Sequence, residues 1–410
     1  MNAILLVIPS STYRTKAFMD AAGRLGINIL VASDHRQAMA SLVPDTTLAL
    51  NFRKPENIKG KVEPYFDRNP FLTAIGVDDQ SAHVAAQIND HLGLPGIPTT
   101  ATSAARNKFR MRERLEAGGV RVPKFDLQAI RSPQPNIAYP CVLKPIFLSA
   151  SRGGTRANDQ QEFLEAFTKL KALIETPDVT ARAHSGEAAS ILVEDYVDGV
   201  EVAIEGILTE GEFKSLAIFD KPDPLTGPHF VETIYVTPSR LPAYVQRELI
   251  HETKKAALAL GIDNGPVHAE LRVNEQGAWV IEIAARSIGG LCSKVLRFTE
   301  DLKLEDLILR QAIGVDISTV QRERQAAAVM MIPIPKAGIL TAVEGIEDAK
   351  VVDGIEDVII TIPNGQDVLP MPFGGRYLGF IFARADMPEE AEAAIREAHD
   401  RLSITIDQQP

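Results

Sequence analysis

Residues 264–290, NGPVHAELRVNEQGAWVIEIAARSIGG, constrain this chain more tightly than any other stretch. Two runs of alternating apolar and polar residues flank a short polar turn, the pattern of a β-hairpin with one buried face. In the first run Val267, Ala269, Leu271 and Val273 share one face and His268, Glu270 and Arg272 the other; in the second, Trp279, Ile281 and Ile283 oppose Val280, Glu282 and Ala284. A three-residue loop, Glu275-Gln276-Gly277 with Gly277 left-handed, pairs Asn274 with Ala278 and sets Glu270 opposite Glu282. A two-residue loop would put the two acids out of register. Carboxylates facing each other across a ladder repel, and a hard divalent cation between them removes the conflict, since Mg2+ takes one or two carboxylates and completes its shell with water and phosphate oxygens. Arg286 follows on the parity of Glu282, where it can hold an anion beside the metal, and Gly289 and Gly290 let backbone approach that anion. A surface hairpin with solvated acids shares the alternation; the apolar opposite face and the residues downstream favour the metal site.

A chain of 410 residues exceeds one ordinary core, so two or three domains are expected. Apolar content of 45% and charged content of 24% are those of a soluble globular protein. The net charge of -11 leaves no excess of Lys and Arg to displace phosphate counterions, which argues against nucleic-acid binding; acidic or phosphorylated substrates would need local basic groups. Cys141 and Cys292 lie far apart without ligand spacing, so no disulfide framework or zinc site is indicated and both read as buried, inert thiols. MNAILLVIPS is short, lacks a basic leader and runs into polar STYRTK, so it is expected to be a first strand and not a signal peptide. No apolar run approaches ~18 residues, and a cytoplasmic protein without membrane contact is expected.

Residues 3–8 are apolar on both parities, as in a buried parallel strand. A helix from about Arg14 to Leu25 and a strand from Ile27 to Ala32 complete a βαβ unit, and the apolar run Phe71 to Val77 leads into a helix with an acidic start at Asp78-Asp79. This predicts a small doubly wound domain, and the absence of GxGxxG after the first strand excludes a nicotinamide fingerprint. Residues 99–117 read as one helix ending at Gly118-Gly119, with Lys108, Arg110, Arg112 and Arg114 clustered near its middle; a solvated face is the ordinary reading of such a cluster. YPCVLKP reads as a strand with Lys144 on the face of Val142, costly there unless it meets an anion. Ser149, Ser151, Arg152, Gly153 and Gly154 follow in a loop whose backbone could fold over phosphates or could be an ordinary surface turn. Beyond a helix at 159–173, Glu194 and Glu201 flank the turn Asp198-Gly199, where strand-end acids accept hydrogen bonds from a base or ribose or are simply solvated. HFVETIYVTPS adds a strand, and a helix runs from Pro242 to Leu260. After polar QRERQ, strands, turns and a closing helix from about Ala326 predict a small α+β domain.

This ordered set, Lys108 on the basic helix, strand Lys144, the Gly/Ser loop, VEDYVDGVE, and paired glutamates ending in EIAAR, resembles the ATP-grasp superfamily of ADP-forming carboxylate-amine ligases. The E-x-A-A-R at the second glutamate and the C-terminal region are most similar to the L-amino acid ligase branch. The resemblance implies an α/β and α+β multidomain architecture: a doubly wound pre-ATP-grasp domain at 1–98, an ATP-grasp region at 99–320 with a central subdomain at about 106–195 and a nucleotide and metal-binding sheet at about 196–320, and a C-terminal domain at 326–410. It implies that Lys108 and Lys144 contact ATP phosphates under the Ser149 to Gly154 loop, that Glu194 with the backbone of Tyr196 and Val197 meets adenine, and Glu201 the ribose. Glu270 and Glu282 would hold Mg2+, or Mn2+ in its place, and Arg286 would steady the acyl phosphate and the tetrahedral intermediate. Glu232, His268, Gly289 and Gly290 fall to the substrate side, with a satisfied structural histidine as the alternative for His268. Many relatives carry Asn where this chain has Ala284, which bears on a second metal. The implied partners are a small carboxylate and an amine, with a homodimer as a further expectation. The rivals are an ATP-grasp ligase or carboxylase acting on another small biosynthetic acid, and a nucleotide-binding protein without turnover.

Overall fold

The computed structural model describes residues 3–10, 12–35, 47–54, 57–133, 136–149, 151–184 and 186–408. The first sheet is parallel, with strands ordered Thr47–Ala49, Asn28–Ser33, Ala3–Ile8, Ala74–Gly76. Every residue of Ala3–Ile8 is buried, as its two-sided apolar pattern demands. The edge strand Thr47–Ala49 and the helix Lys59–Arg68 were not anticipated, the first being three residues long and the second polar, with Pro64 inside it. The chain order reverses direction between Ala3–Ile8 and Ala74–Gly76, so a crevice opens beyond their carboxyl ends. Arg14 follows the first of these strands and Asp79 the second, and both line a cavity there.

A four-stranded antiparallel sheet, ordered Phe125–Ala129, Ser190–Asp195, Cys141–Pro145, Thr155–Ala157, packs Leu143, Ile191 and Val193 into one core with Phe163, Phe167 and Leu170 of the helix Gln160–Ile174. Residues 99–117 form two helices, Thr99–Arg106 and Lys108–Ala117, and not the single helix expected. Asn107 is the cause: its side chain accepts from the Arg110 amide and caps the second helix, so the chain restarts there. The restart turns Lys108 and Arg112 inward, both buried, while Arg110 stays exposed, so the basic cluster is not a solvated face.

The third sheet has eight strands in the order Gly277–Ala284, Gly265–Asn274, Val200–Thr209, Glu212–Asp220, Ile234–Thr237, Ala326–Ile332, Gly379–Ala385, Ile355–Ile360. Strands of the C-terminal region therefore extend the same sheet that carries the hairpin. The helix Pro388–Asp400 is followed by the strand Ser403–Asp407, which joins Gly338–Glu344 and Asp367–Val368 in a separate three-stranded sheet. Among the described residues no helix is long and apolar enough to cross a membrane.

The hairpin reaches the expected carboxylate pairing by a different route. Asn274 pairs with Gly277 across a two-residue loop, and Leu271 with Val280, but Glu270 faces Glu282 because a bulge at Ile281 inserts one extra residue. The bulge also inverts parity: Val280 and Ile283 both lie in the core with Val267, Ala269 and Leu271, so Val280 is not on the face of Glu282. The Ile281 carbonyl accepts from Nη2 of buried Arg112 at 2.6 Å, a partner outside the ladder.

The junction between the parallel sheet and the helix Asp79–Leu92 leaves no room for a side chain at Gly76, where a Cβ would meet the Ala82 amide nitrogen at 2.1 Å. Gly76→Ala should destabilise the protein by at least the ~1–3 kcal/mol of an overpacked core, read as a lower denaturant midpoint. Gly23→Ala, in the helix Thr15–Leu25 with nothing within 4 Å, should hold or raise that midpoint.

Candidate active site

A first cavity lies between the four-stranded sheet and the hairpin, lined by Lys108, Lys144, Ser151, Arg152, Gly154, Glu194, Tyr196, Val197, Glu201, Glu270 and Glu282. Most of its charges are already paired. Lys108 donates to Glu282 at 2.9 Å and to the Leu148 carbonyl at 2.8 Å. Glu194, 2% exposed, accepts from Arg112 Nε at 2.9 Å and pairs with Lys144. Burial alone would raise the Glu194 carboxyl, but the Arg112 and Lys144 charges outweigh it and hold the group down to about 2. The side chain expected beside adenine is thus also the anchor that fixes Lys144. Tyr196 is stacked on Phe230 at 6.3 Å, with the Arg156 guanidinium 4.0 Å from its ring centre, and the Val197 carbonyl accepts from Arg272 at 2.7 Å.

The Gly/Ser loop contributes unevenly, and Ala150 within it lies outside the described residues. Ser149 faces the inner cavities, whereas Gly153 packs toward Pro145, Leu170 and Leu173 and donates its amide to the Pro372 carbonyl. Gly153 therefore does not line the first cavity. The Arg152 and Gly154 amides bond within the loop, to Ser149 and Ser151. Arg152 also pairs with Asp178 at 3.3 Å.

A second cavity of about 310 Å³ begins where the first ends and shares Glu270 and Glu282 with it. Glu232, His268, Arg286, Gly289 and Gly290 line it, together with Tyr235, Cys292 and Tyr377. Next to Glu232 and Glu270 the buried Lys221 ammonium stands among three carboxylates, pairing with Glu232, with Glu201 at 2.8 Å and with Glu270 at 3.6 Å. Burial would lower the Lys221 pKa, but these three acids raise it well above its usual value, so the cation persists. One ammonium cannot neutralise three neighbours: burial and the Glu270 charge push Glu232 up to about 7 despite Lys221. Glu270 goes the other way, because Lys221, His268 and Lys108 overcome its burial and hold it well below the carboxylate range. His268 sits between Glu205 at 3.2 Å and Glu270 at 3.6 Å, and its imidazole, which burial alone would discharge, is raised to about 9 by those acids. A histidine charged at neutral pH is no general base, which favours the structural alternative for its role.

Arg286 is locked from outside the sheet. Its Nε and Nη2 donate to the two oxygens of Asp79 at 2.9 and 3.2 Å, and Nη1 donates to the Ser287 carbonyl at 3.0 Å. Arg14 grips the next residues, donating to Ser287 Oγ at 2.8 Å and the Ile288 carbonyl at 2.9 Å while pairing with Glu305 at 2.9 Å. Glu205, fully buried, accepts from the Ile288 amide at 2.9 Å. Both thiols are buried as expected, and burial raises Cys141 to about 11 and Cys292 to about 12.

Reading the sequence missed Lys221, Arg272, Arg112, Asp79, Arg14 and Glu205. Lys221 had a usable signal, a lysine closing the apolar strand Glu212–Asp220, as Lys144 does in its own strand. Glu201, Glu232 and Glu270 offer oxygens within 4.8 Å of one another, and Glu282 faces Glu270 across the ladder. A set of hard carboxylate oxygens suits Mg2+ and not a soft metal.

The antiparallel sheets closing on a charged cleft, joined to a doubly wound sheet, make up the ATP-grasp fold. An ATP-grasp domain family model matches residues 137–295, and L-amino acid ligase C-terminal domain 2 matches residues 330–407. The chain thus carries an ATP-grasp domain followed by an L-amino acid ligase C-terminal domain, and amino acid ligases are among the proteins it resembles. The crystal structure of an L-amino acid ligase from Bacillus licheniformis is similar over 99% of both chains, with a TM-score of 0.83 and 27% identity. Alanine-anticapsin ligase of Bacillus subtilis is 32% identical over 220 residues, covering 50% of this chain and 46% of that protein, so the match spans about half of each. Dapdiamide A synthase of Enterobacter agglomerans is 25% identical over 371 residues, 84% of this chain and 81% of that protein.

The Glu194 anchor carries a pH signature. Its folded pKa of about 2 lies below the ordinary 4.5, so its contribution is fully present above pH 4.5 and is lost as pH falls toward 2. A depression of that size corresponds to about 3 kcal/mol. Denaturant titrations between pH 7 and pH 3 should show this loss in the wild type, whereas Glu194→Gln should be less stable at pH 7 and fall less steeply on acidification.

Proposed function

We propose that this protein is an ADP-forming ligase that activates the carboxylate of an amino acid with ATP and joins it to an amine. The observation that carries the reading is that Glu270 and Glu282 line both the first and the second cavity, with Arg286 beside them in the second. A nucleotide in the first cavity would thus present its terminal phosphate to a carboxylate in the second. The similarity to amino acid ligases supports an amino acid as the acid substrate.

In the first step a carboxylate oxygen bonds to the γ-phosphorus and the bond from phosphorus to the ADP oxygen breaks, giving an acyl phosphate. In the second, the amine nitrogen bonds to the acyl carbon and phosphate leaves. Lys108 and Lys144 offset phosphate charge, and the Asp79-bound Arg286 keeps donors free for oxygens of the acyl phosphate and of the tetrahedral intermediate. Glu270 and Glu282 would hold Mg2+, which would neutralise charge between the phosphates. Lys221 and the charged His268 preserve the ionised state of Glu270. Glu232 lies where a substrate ammonium could be received. The division at 1–98, 99–320 and 326–410 and a cytoplasmic location belong to the same reading.

The test is ADP release from ATP with Mg2+ across pairs of amino acids, with the product identified by mass. Release that depends on both an acid and an amine, with loss of water from the pair, is expected. Release that requires bicarbonate or an acid without an amine would favour a carboxylase or another ligase, and no release with any acid would favour a nucleotide-binding protein. Glu270→Gln and Glu282→Gln should each abolish turnover without unfolding the protein. Arg286→Lys should keep ATP affinity yet lose turnover by on the order of 100-fold, since a point charge cannot replace a fixed fork of donors. Unchanged turnover in that variant, or a parallel loss of ATP binding, would remove Arg286 from the chemistry.

A further inference from the structure

A further cavity, of about 430 Å³, lies where the parallel sheet meets the base of the hairpin. Its walls are the edge strand Ala74–Gly76, the helix Asp79–Leu92, residues 264–266 and the end of the helix Leu304–Ala312. Ala86, Gly265, Ala285 and Ile308 are buried in it, while Leu72 and Gly314 are exposed at its mouth. Among the described residues no charged side chain lines this cavity, whereas acids, lysines and arginines line the first, and acids and arginines the second. Its volume is that of an ordinary small-molecule site, about 300–1,000 Å³, and walls without countercharge admit a neutral body far more readily than an ion. Two of its polar side chains are committed. Thr73 Oγ1 donates to the Pro95 carbonyl at 2.7 Å, and Asn89 closes the Ala74 amide and carbonyl at 2.7 and 2.9 Å, which blocks an added strand at that edge. Two others retain capacity: Asn264 Oδ1 accepts from the Glu210 amide at 3.0 Å and leaves its own amide nitrogen to donate, and among the described residues no hydrogen bond holds the Gln311 carboxamide. The ligand that fits is uncharged and largely apolar, with a polar edge that can pair with a carboxamide.

Three of the walls run into the segment that holds Arg286. Ala285 precedes it directly, and the strand Ala74–Gly76 leads through Val77 to Asp79, whose carboxylate grips the Arg286 guanidinium. The helix Leu304–Ala312 carries Glu305, which pairs with Arg14, and Arg14 in turn holds Ser287 and Ile288. A molecule that binds these walls as they stand favours the arrangement in which Asp79 holds Arg286, because a ligand shifts an equilibrium toward the state it binds. We propose that this cavity is an effector site for an uncharged, apolar molecule bearing a carboxamide or similar group, and that its occupancy raises turnover by steadying Arg286 from behind. The effect on turnover rests on the proposed ligase activity; the binding does not.

The probes are benzamide, which has this chemistry, and benzoate, a body of the same shape that carries a charge. Calorimetry with the wild type should give benzamide a Kd on the order of 1 mM or lower, and benzoate a Kd higher by on the order of tenfold or more. Ala86→Leu and Ala312→Leu, on different walls, should each weaken benzamide binding on the order of tenfold by filling the space it takes. In steady-state ADP release benzamide should raise the wild-type kcat on the order of fivefold, the low end of coupling between sites, and leave the KM of ATP unchanged. Asp79→Asn should bind benzamide as the wild type does and lose that response. Benzoate bound as tightly as benzamide, or a benzamide affinity untouched in both leucine variants, would overturn the site. Binding without a change in turnover, or a response that survives in Asp79→Asn, would overturn its coupling to Arg286. A wild type that binds benzamide with these properties yet releases no ADP with any acid and amine upholds the site and overturns the ligase reading alone.

Discussion

Two carboxylates on one rung of an antiparallel ladder are the constraint around which this molecule is arranged. Glu270 and Glu282 face each other through a bulge that inserts Ile281, and their repulsion must be met by fixed positive charge. Lys108 meets Glu282, while Lys221 and charged His268 meet Glu270. Two of those cations have a further acid to serve, Lys221 in Glu201 and Glu232 and His268 in Glu205, so charge alternates through the floor of the cleft around Glu270. Breaking a buried pair by removing one partner costs about 3–5 kcal/mol, which makes that floor rigid. The same arrangement prepares the cleft for anionic reactants, because phosphate and carboxylate oxygens can take over cations that acids already hold in place.

The doubly wound sheet supplies the other half of the site. Its two central strands diverge in connection at a switch point, and the residues beyond their carboxyl ends, Arg14 and Asp79, reach into the segment just past the hairpin. Arg286 would otherwise swing on a flexible stem. The bidentate Asp79 contact fixes the plane of its guanidinium and leaves its remaining donors aimed at the cavity. Gly289 and Gly290 keep the adjoining wall open, while Phe380 of the C-terminal strand Gly379–Ala385 stands 3.1 Å from where a Cβ on Gly290 would be. The reactant cavity is thus walled by elements from the start, the middle and the end of the chain.

Periodicity made much of this legible. The alternation in residues 264–284 exposed the hairpin, its buried face and the facing acids, and the apolar runs exposed the parallel core strand. It failed where a local irregularity carries the geometry. A bulge leaves no mark on a period of two, so the right pairing was reached through the wrong loop and Val280 was put on the wrong face. Asn107 interrupts a run that is helical in composition on both sides, and only its capping bond reveals the break. Lys221, Asp79 and Arg14 were missed because their significance lies in partners 11 to 291 positions away, brought together in a cleft or crevice that exists only after folding. The sheet shared between the hairpin and the C-terminal strands was hidden for the same reason: each strand is ordinary by itself, and its neighbour is set by tertiary packing.

The central claim is that the shared acids bring a phosphate and a carboxylate into direct reaction. The fate of oxygen tests it most directly. An acid substrate labelled with heavy oxygen in its carboxylate, turned over with ATP and an amine, should deliver one labelled oxygen to the inorganic phosphate released and retain the other in the amide product. Inorganic phosphate free of label, formed while product accumulates, would mean that no acyl phosphate is made and would contradict the account.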